Sequence, residues 1–281
     1  MNKKTIGKGI LNIALYLIMF LLINMAVTIA VGVCALFIQG MDGSAVIDAL
    51  HRGALPADGK TMAVTMALTG VLTALLFIRT GWTPVSRTYL QSRPWAVLCW
   101  VVVLALGTVI PSEVMQEQMG TEMPEQLTHL FVAMLREPWG YLAIGIMAPL
   151  AEEVVFRGAV LRTLLTLAPQ RLHWVPIVLS AVLFGAVHGN APQFVHATLM
   201  GLLLGWLYYR TGSLAPGMVL HWANNTVAYV VVNLLPPSAA DAQLIDLFGG
   251  SGRTAWLAVL FSLCLAVPAL FQLAVRMRRR D

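Results

Sequence analysis

Three charged side chains, Glu152, Glu153 and Arg157, stand inside an otherwise apolar stretch near the middle of the chain. The stretch covers about residues 139–162 and is long enough to cross a membrane, because a spanning helix needs about 20 mostly apolar residues. Each ionised group at the bilayer centre costs about 2.5–3.5 kcal/mol, so three facing lipid would cost about 8–10 kcal/mol. They must therefore face a protein interior or a wet cavity, where ionisable groups are candidates for chemistry.

The spacing within this group separates two roles. Glu153 and Arg157 are four residues apart with the acid first, which is the favoured order for an ion pair on a helix. Glu152 is turned by about 100° from Glu153 on a regular helix. We therefore predict that Glu153 and Arg157 form a buried supporting pair and that Glu152 is the carboxylate free to act.

Two other apolar stretches carry polar side chains that can reach the same depth. His221 and Asn225 are four residues apart and project from one helix face. His188 closes the short stretch 174–188, which is followed by a Gly-Asn-Ala-Pro sequence that interrupts helices. Irregular backbone at membrane depth survives only where protein or a water-filled cavity surrounds it. We expect the chain to turn inside the membrane beside His188.

A carboxylate, two imidazoles and a carboxamide fit two mechanisms. In the first, Glu152 acts as a general base on water, while the histidines and Asn225 orient that water and stabilise an oxyanion. In the second, Glu152, His188 and His221 hold Zn²⁺ or another divalent metal with one position open to water. The sequence leaves both open. Asn190 and His196 lie next to these residues and are predicted to support them.

The composition identifies an integral membrane protein. Of 281 residues, 58% are hydrophobic and only 11% are charged, whereas soluble domains carry about 25% charged residues. The net charge of +5 is no sign of nucleic-acid binding, because the basic residues lie in short loops and tails, as expected from the positive-inside rule. We predict an all-α, multi-pass protein with eight spans, near 10–38, 61–79, 94–112, 139–162, 174–188, 194–210, 214–235 and 254–275.

The distribution of basic residues tests this layout. The predicted outer segments hold only Arg52, Lys60, Arg136 and Arg253. The predicted inner segments hold Lys3, Lys4, Lys8, Arg79, Arg87, Arg93, Arg162, Arg171, Arg210, Arg276, Arg278, Arg279 and Arg280. This bias predicts that both termini are cytoplasmic.

The chain is predicted to be one integral membrane domain over residues 1–281. Within it, 1–138 supplies N-terminal helices and an outer loop, 139–235 supplies the core helices that carry the polar residues, and 236–281 supplies an outer loop, the last span and a basic tail. Two alternatives to an enzyme remain. A proton-coupled transporter would use the buried carboxylate and histidines as a relay, but its expected repeat halves are not found. A non-catalytic interaction or immunity protein would use the buried charges only to fix the fold.

Taken in order, Glu152-Glu153-x-x-x-Arg157, Phe184-x-x-x-His188 and His221-x-x-x-Asn225 resemble the three motifs of the CPBP family. That family includes CAAX-type prenyl proteases, bacteriocin-processing and immunity proteins, and lysostaphin-resistance-like proteins. The resemblance covers about residues 139–235.

The resemblance implies a glutamate-type intramembrane endopeptidase, a class historically called metalloproteases, in the cytoplasmic membrane of a prokaryote. By motif matching, Glu152 activates water, and His188 assists it. The oxyanion site is formed by His221 and Asn225, while Glu153 and Arg157 support the geometry. The implied partners are the lipid bilayer and a membrane-associated peptide or protein substrate.

Overall fold

The computed structural model describes residues 3–119, 123–236 and 244–277. The described residues contain helices and no strand, and 83% of them are helical, which confirms the all-α prediction. The predicted basic tail residues Arg278, Arg279 and Arg280 lie outside the described residues. The α-helices are α1 (Lys3–Ile38), α2 (Gly43–His51), α3 (Gly59–Arg79), α4 (Thr88–Gln91), α5 (Trp95–Gln118), α6 (Glu125–Arg136), α7 (Ala148–Glu152), α8 (Arg162–Leu167), α9 (Trp174–Ala186), α10 (Ala191–Thr211), α11 (Ala215–Leu234), α12 (Leu244–Leu247) and α13 (Gly252–Arg276).

Within the part of the chain that the structure describes, four helices are long and apolar enough to cross a membrane, namely α1, α3, α5 and α13. The helix α9 is apolar but shorter. The side chains of α1 explain its place at the periphery, since Ile10, Leu11 and Ile18 are more than half exposed. Apolar side chains that point away from the protein are expected where lipid is the solvent. The chain is therefore an integral membrane protein, and the total of eight spans stays a prediction.

The predicted span 139–162 is helical but not a regular α-helix. Two π-helical segments, Tyr141–Met147 and Glu153–Leu161, flank α7, and α8 completes the run. We call this run, residues 141–167, the interrupted helix. Short π segments inside helices widen the turn and are frequent at functional sites. The sequence pattern did not predict them, because apolar spacing does not distinguish an α-helical turn from a π-helical one.

The interrupted helix lies at the centre of the fold. It packs against α1, α3, α9, α10 and α11, and every residue of its Glu153–Leu161 segment is buried. Small residues allow the close packing. A Cβ atom at Gly158 would lie 2.2 Å from Thr83 Cγ2, and one at Gly201 of α10 would lie 2.9 Å from the Cα and Cβ atoms of Ala181 in α9. The contact at Gly201 brings α10 against α9, and both helices pack on the Glu153–Leu161 segment.

Candidate active site

The predicted supporting pair is present and fully buried. Arg157 Nη1 donates to Glu153 Oε1 over 2.8 Å, and neither side chain is more than 1% exposed. The guanidinium carbon of Arg157 lies 4.5 Å from the centre of the Phe184 ring, which adds a cation–π contact. Arg157 Nη2 also approaches the Gly201 carbonyl at 3.4 Å. A buried pair of this kind stabilises only when both partners are present, because either charge alone would be uncompensated.

His221 joins the two neighbouring glutamates. Its Nε2 atom lies 3.4 Å from Glu152 Oε2, and its Nδ1 atom lies 3.4 Å from Glu153 Oε1. Both distances are long for a hydrogen bond, and His221 Nδ1 has no hydrogen-bond partner among the described residues. Glu152 differs from Glu153 in exposure, since 19% of its side chain is accessible and Glu153 is fully enclosed. Glu152 is therefore the carboxylate that another molecule can reach.

A glycine allows α11 to bring His221 to this position. Gly217 lies one turn before His221, and a Cβ atom there would lie 2.6 Å from Glu153 Oε2. That carboxylate oxygen is buried and has no hydrogen-bond partner within the described part of the chain. Any larger residue at position 217 would push α11 away from the glutamates.

The contact of Asn225 follows from the π-helical geometry of the interrupted helix. The backbone N–H of Ala148 donates five residues back to the Ala143 carbonyl. In the same five-residue register, the donor to the Ile144 carbonyl would be the N–H of residue 149, but Pro149 has no N–H. The Ile144 carbonyl instead accepts from Asn225 Nδ2 over 3.0 Å. Asn225 thus fixes α11 to the helix that carries Glu152, and the second N–H of its amide is left for another acceptor.

His188 lies in the turn between α9 and α10, where the sequence predicts a break. The helix α9 ends at Ala186, Gly189 has a positive φ of 73°, and α10 begins at Ala191. The predicted interruption is confirmed. His188 Nδ1 lies 2.9 Å from the Phe184 carbonyl. Because a carbonyl oxygen only accepts, Nδ1 carries the hydrogen of this bond, and in a neutral ring the lone pair would be on Nε2.

Asn190 holds this turn in place. Its side-chain oxygen accepts from the Gln193 backbone N–H over 3.1 Å, so it is the N-cap of α10. Its Nδ2 atom donates to the His188 carbonyl over 3.1 Å. Asn190 therefore contacts His188 through its backbone carbonyl, and its supporting role stays a prediction.

His196 lies one and a half turns into α10. Its Nδ1 atom is 2.7 Å from the Ser112 hydroxyl of α5. The ring is close enough to His188 and His221 for the three imidazoles to interact electrostatically. The predicted site thus extends to α5, a contact that the sequence spacing gave no way to foresee.

Phe184 contributes more than its sequence position indicated. The ring is buried, as in a packing role. It also lies edge-on to both predicted catalytic histidines, with ring centres 5.1 Å from His188 and 5.9 Å from His221. Its face carries the Arg157 guanidinium. One aromatic ring therefore contacts the supporting cation and both imidazoles.

The residues do not present a ready metal site in this arrangement. Across residues 3–119, 123–236 and 244–277, no three His, Cys, Asp or Glu side chains are placed to hold one ion. Glu152 and His221 approach each other, but His188 does not complete a three-donor set with them. The donors as they stand therefore do not fit the predicted metal.

The comparisons with known proteins agree with the motif resemblance. Residues 134–227 match the family model described as Rce1-like, type II CAAX prenyl endopeptidase, which belongs to the CPBP family. This segment, about a third of the chain, is similar to an Rce1-like domain. It contains every residue of the site described above except Ser112. No curated protein and no solved structure gives a significant match to the chain.

Proposed function

We propose that this chain is an intramembrane endopeptidase that hydrolyses a peptide bond in a membrane-associated peptide or protein. The observation that carries the proposal is the placement of His221 between an accessible carboxylate, Glu152, and an enclosed one, Glu153. An ion pair that only fixed helix packing would need Glu153 and Arg157 alone. The Rce1-like domain supports the peptidase class.

The first step is assigned to Glu152. Its carboxylate takes a proton from a water molecule as the water oxygen attacks the carbonyl carbon of the scissile peptide bond. His188 can orient this water through Nε2, because its Nδ1 hydrogen is held by the Phe184 carbonyl. When the tetrahedral intermediate collapses, Glu152 returns the proton to the leaving nitrogen and the C–N bond breaks.

The negative charge on the intermediate is assigned to His221 and Asn225. The Nε2 atom of His221 lies 3.4 Å from Glu152 Oε2, so a hydrogen on this nitrogen would point towards the accessible carboxylate. An oxyanion next to Glu152 would compete for the Nε2 hydrogen. The free N–H of Asn225 would add a second donor. Removing one such donor typically lowers kcat by about 10²–10³.

A cleavage assay tests the role of Glu152. The full-length protein in lipid nanodiscs is incubated with membrane-tethered fluorogenic peptides, with and without a C-terminal prenyl group. We expect Glu152→Gln to lower the rate by about 10²–10⁴, the usual contribution of a general base, and to leave the melting temperature unchanged. Glu113→Gln is the matched control, because it removes a carboxylate from α5. Equal cleavage by Glu152→Gln and the unmodified protein would remove Glu152 from the mechanism.

The cleavage assay also addresses the metal alternative, and a test in cells addresses the alternative of a non-catalytic immunity protein. Loss of activity with a chelator, and recovery with Zn²⁺, would assign a metal-dependent reaction. In cells, a non-catalytic protein would keep its deletion-complementing phenotype with Glu152→Gln, whereas a peptidase would lose it.

We also propose eight spans, with both termini on the cytoplasmic side of the membrane. The four long apolar helices support the membrane assignment, and the bias of Lys and Arg supports the orientation. Labelling with a membrane-impermeant thiol reagent tests it, after replacement of the native cysteines. Arg52→Cys should react in intact cells, and Arg171→Cys should react only after permeabilisation. The reverse pattern would invert the topology.

A further inference from the structure

A polar cavity lies at the end of the protein where α1 begins and the interrupted helix ends. Its volume is about 260 Å³. The cavity is lined by Thr5, Lys8, Gly9, Asn12, Arg162, Thr163, Thr166 and Leu167. None of these residues belongs to the candidate active site, and no acidic residue lines the cavity.

The lining residues of α1 form one continuous face. Thr5, Lys8, Gly9 and Asn12 follow the spacing i, i+3, i+4 and i+7, which places them on the same side of a helix. Gly9 allows this face to meet α8, since a Cβ atom there would lie 2.7 Å from Leu167 Cδ1. The two helices therefore converge at Gly9 and leave the polar side chains around an opening.

The two cations in this cavity have no acidic partner. Neither Lys8 nor Arg162 forms an ion pair with a carboxylate in the described residues. Arg162 does interact with the phenol of Tyr208 in α10. The positive-inside rule accounts for basic residues at this membrane surface, but it does not account for hydroxyl and amide groups that surround them in a cavity.

We propose that this cavity binds the phosphate group of an anionic membrane lipid. Two cations, the Asn12 amide and the hydroxyls of Thr5 and Thr163 can donate to the oxygens of a phosphate ester, while the Thr166 hydroxyl already donates to the Thr163 carbonyl. Apolar side chains continue along α1 next to Lys8, where Ile6 is 37% and Ile10 is 60% exposed. A lipid needs both a headgroup site and an apolar flank for its chains, whereas a soluble phosphate needs only the first. Basic pockets between spanning helices bind anionic headgroups in this way.

A lipid in this position would connect α1 to the helix that carries Glu152. Lys8 belongs to the peripheral helix and Arg162 lies directly after the buried Glu153–Leu161 segment. One phosphate held by both residues would stabilise the contact between them. The lipid should therefore raise the melting temperature of the protein in addition to binding it.

The test is native mass spectrometry of the detergent-purified, full-length protein titrated with phosphatidylglycerol or with phosphatidylcholine. We expect tighter binding of phosphatidylglycerol. The double substitution Lys8→Gln and Arg162→Gln should weaken that binding by about 30-fold, at about fivefold for each cation near a membrane surface. The lipid-dependent rise in melting temperature should disappear with it.

The matched control is Arg87→Gln with Arg171→Gln, which removes two exposed basic residues outside the cavity. We expect this control to bind phosphatidylglycerol as the unmodified protein does. An equal loss of binding in both double variants would overturn the site in favour of net charge alone. Displacement of the lipid by inorganic phosphate at matched ionic strength would overturn the assignment to a lipid. Because neither cation belongs to the proposed mechanism, this result is independent of peptide cleavage.

Discussion

The helix α1 and the Glu153–Leu161 segment reverse the usual relation between polarity and burial. The most apolar window of α1 is only 11% buried, whereas every residue of Glu153–Leu161 is buried, including Glu153 and Arg157. In a soluble protein the apolar helix would be inside. Here lipid solvates apolar side chains and only protein can solvate charge, so the charged segment occupies the centre.

The comparison also explains where small residues are needed. Around the charged segment, glycines bring backbones into contact, since packing and polar contacts rather than hydrophobic burial hold helices together in a membrane. Along the first turns of α1, a methyl group added at Gly7 would meet no atom within 4 Å. The centre should therefore respond strongly to small changes, whereas outward-facing positions of α1 such as Gly7 should tolerate them.

The largest effect is expected from breaking the buried ion pair. Arg157→Met leaves Glu153 as an uncompensated buried charge, and we expect a loss of about 3–5 kcal/mol in the free energy of unfolding. The double variant Glu153→Gln and Arg157→Met should recover part of that loss, because no net charge then remains. Leu11→Ala on α1, at a side chain that is 69% exposed, is the control and should change little. Denaturant unfolding in mixed micelles measures all three, and equal losses at both sites would refute the comparison.

The second effect is steric. We expect Gly217→Ala to cost about 1–3 kcal/mol, as overpacking of a filled core does, and to reduce peptide cleavage by moving His221 away from Glu152. Gly7→Ala is the matched control on α1, and it should leave stability unchanged or raise it slightly, because alanine favours helix over glycine. A neutral Gly217→Ala would mean that α11 can shift without affecting the glutamates.

The third prediction concerns Phe184 and distinguishes a packing role from a role in positioning the histidines. Phe184→Leu removes the ring that contacts Arg157, His188 and His221, whereas Phe77→Leu removes an equally buried ring that packs on Tyr16 and Trp82. Both should lower the melting temperature by similar amounts. Only Phe184→Leu should lower kcat, which we expect to fall by at least about tenfold if a misplaced contact costs about 1.4 kcal/mol of transition-state stabilisation. Equal activities in the two variants would leave Phe184 a packing residue only.

The smallest effect is expected from a change at Asp58, which precedes the membrane-spanning part of α3. Asp58 is the N-cap of this helix, and hydrogen bonds from the Thr61 backbone N–H and hydroxyl lower the pKa of its carboxyl group. A lowered folded-state pKa contributes stability above the unfolded-state pKa, and this contribution is lost as the pH falls through the folded-state pKa. We expect Asp58→Ala to cost about 0.5–2 kcal/mol at pH 7.

The difference between Asp58→Ala and the unmodified protein should shrink as the pH is lowered towards about 3, below the ordinary range of an aspartate. Asp58→Asn keeps a capping oxygen, so it should lose less stability and show a flatter pH dependence. Unfolding curves at several pH values measure both. A pH-independent difference for Asp58→Ala would show that the charge of the cap contributes nothing.

The sequence predicted the long helices well because their signal is local. Apolar runs of sufficient length, the Gly-Pro interruption after His188 and the four-residue spacing of Glu153 and Arg157 depend on neighbours along the chain. The π-helical segments were not predicted, since a change of one residue in hydrogen-bond register leaves apolar spacing almost unaltered. The role of Ser112 at His196 was missed for another reason, because the two residues are 84 positions apart along the chain.

The sequence by itself determined that charged groups enter the membrane and must be enclosed, because their desolvation cost does not depend on how the helices pack. Only the tertiary structure decided that His221 faces both glutamates, that Asn225 donates to the Ile144 carbonyl, and that Phe184 contacts Arg157 and both histidines. Those contacts join side chains from different helices. Their distances are set by helix crossing and by the few positions where glycine permits close approach.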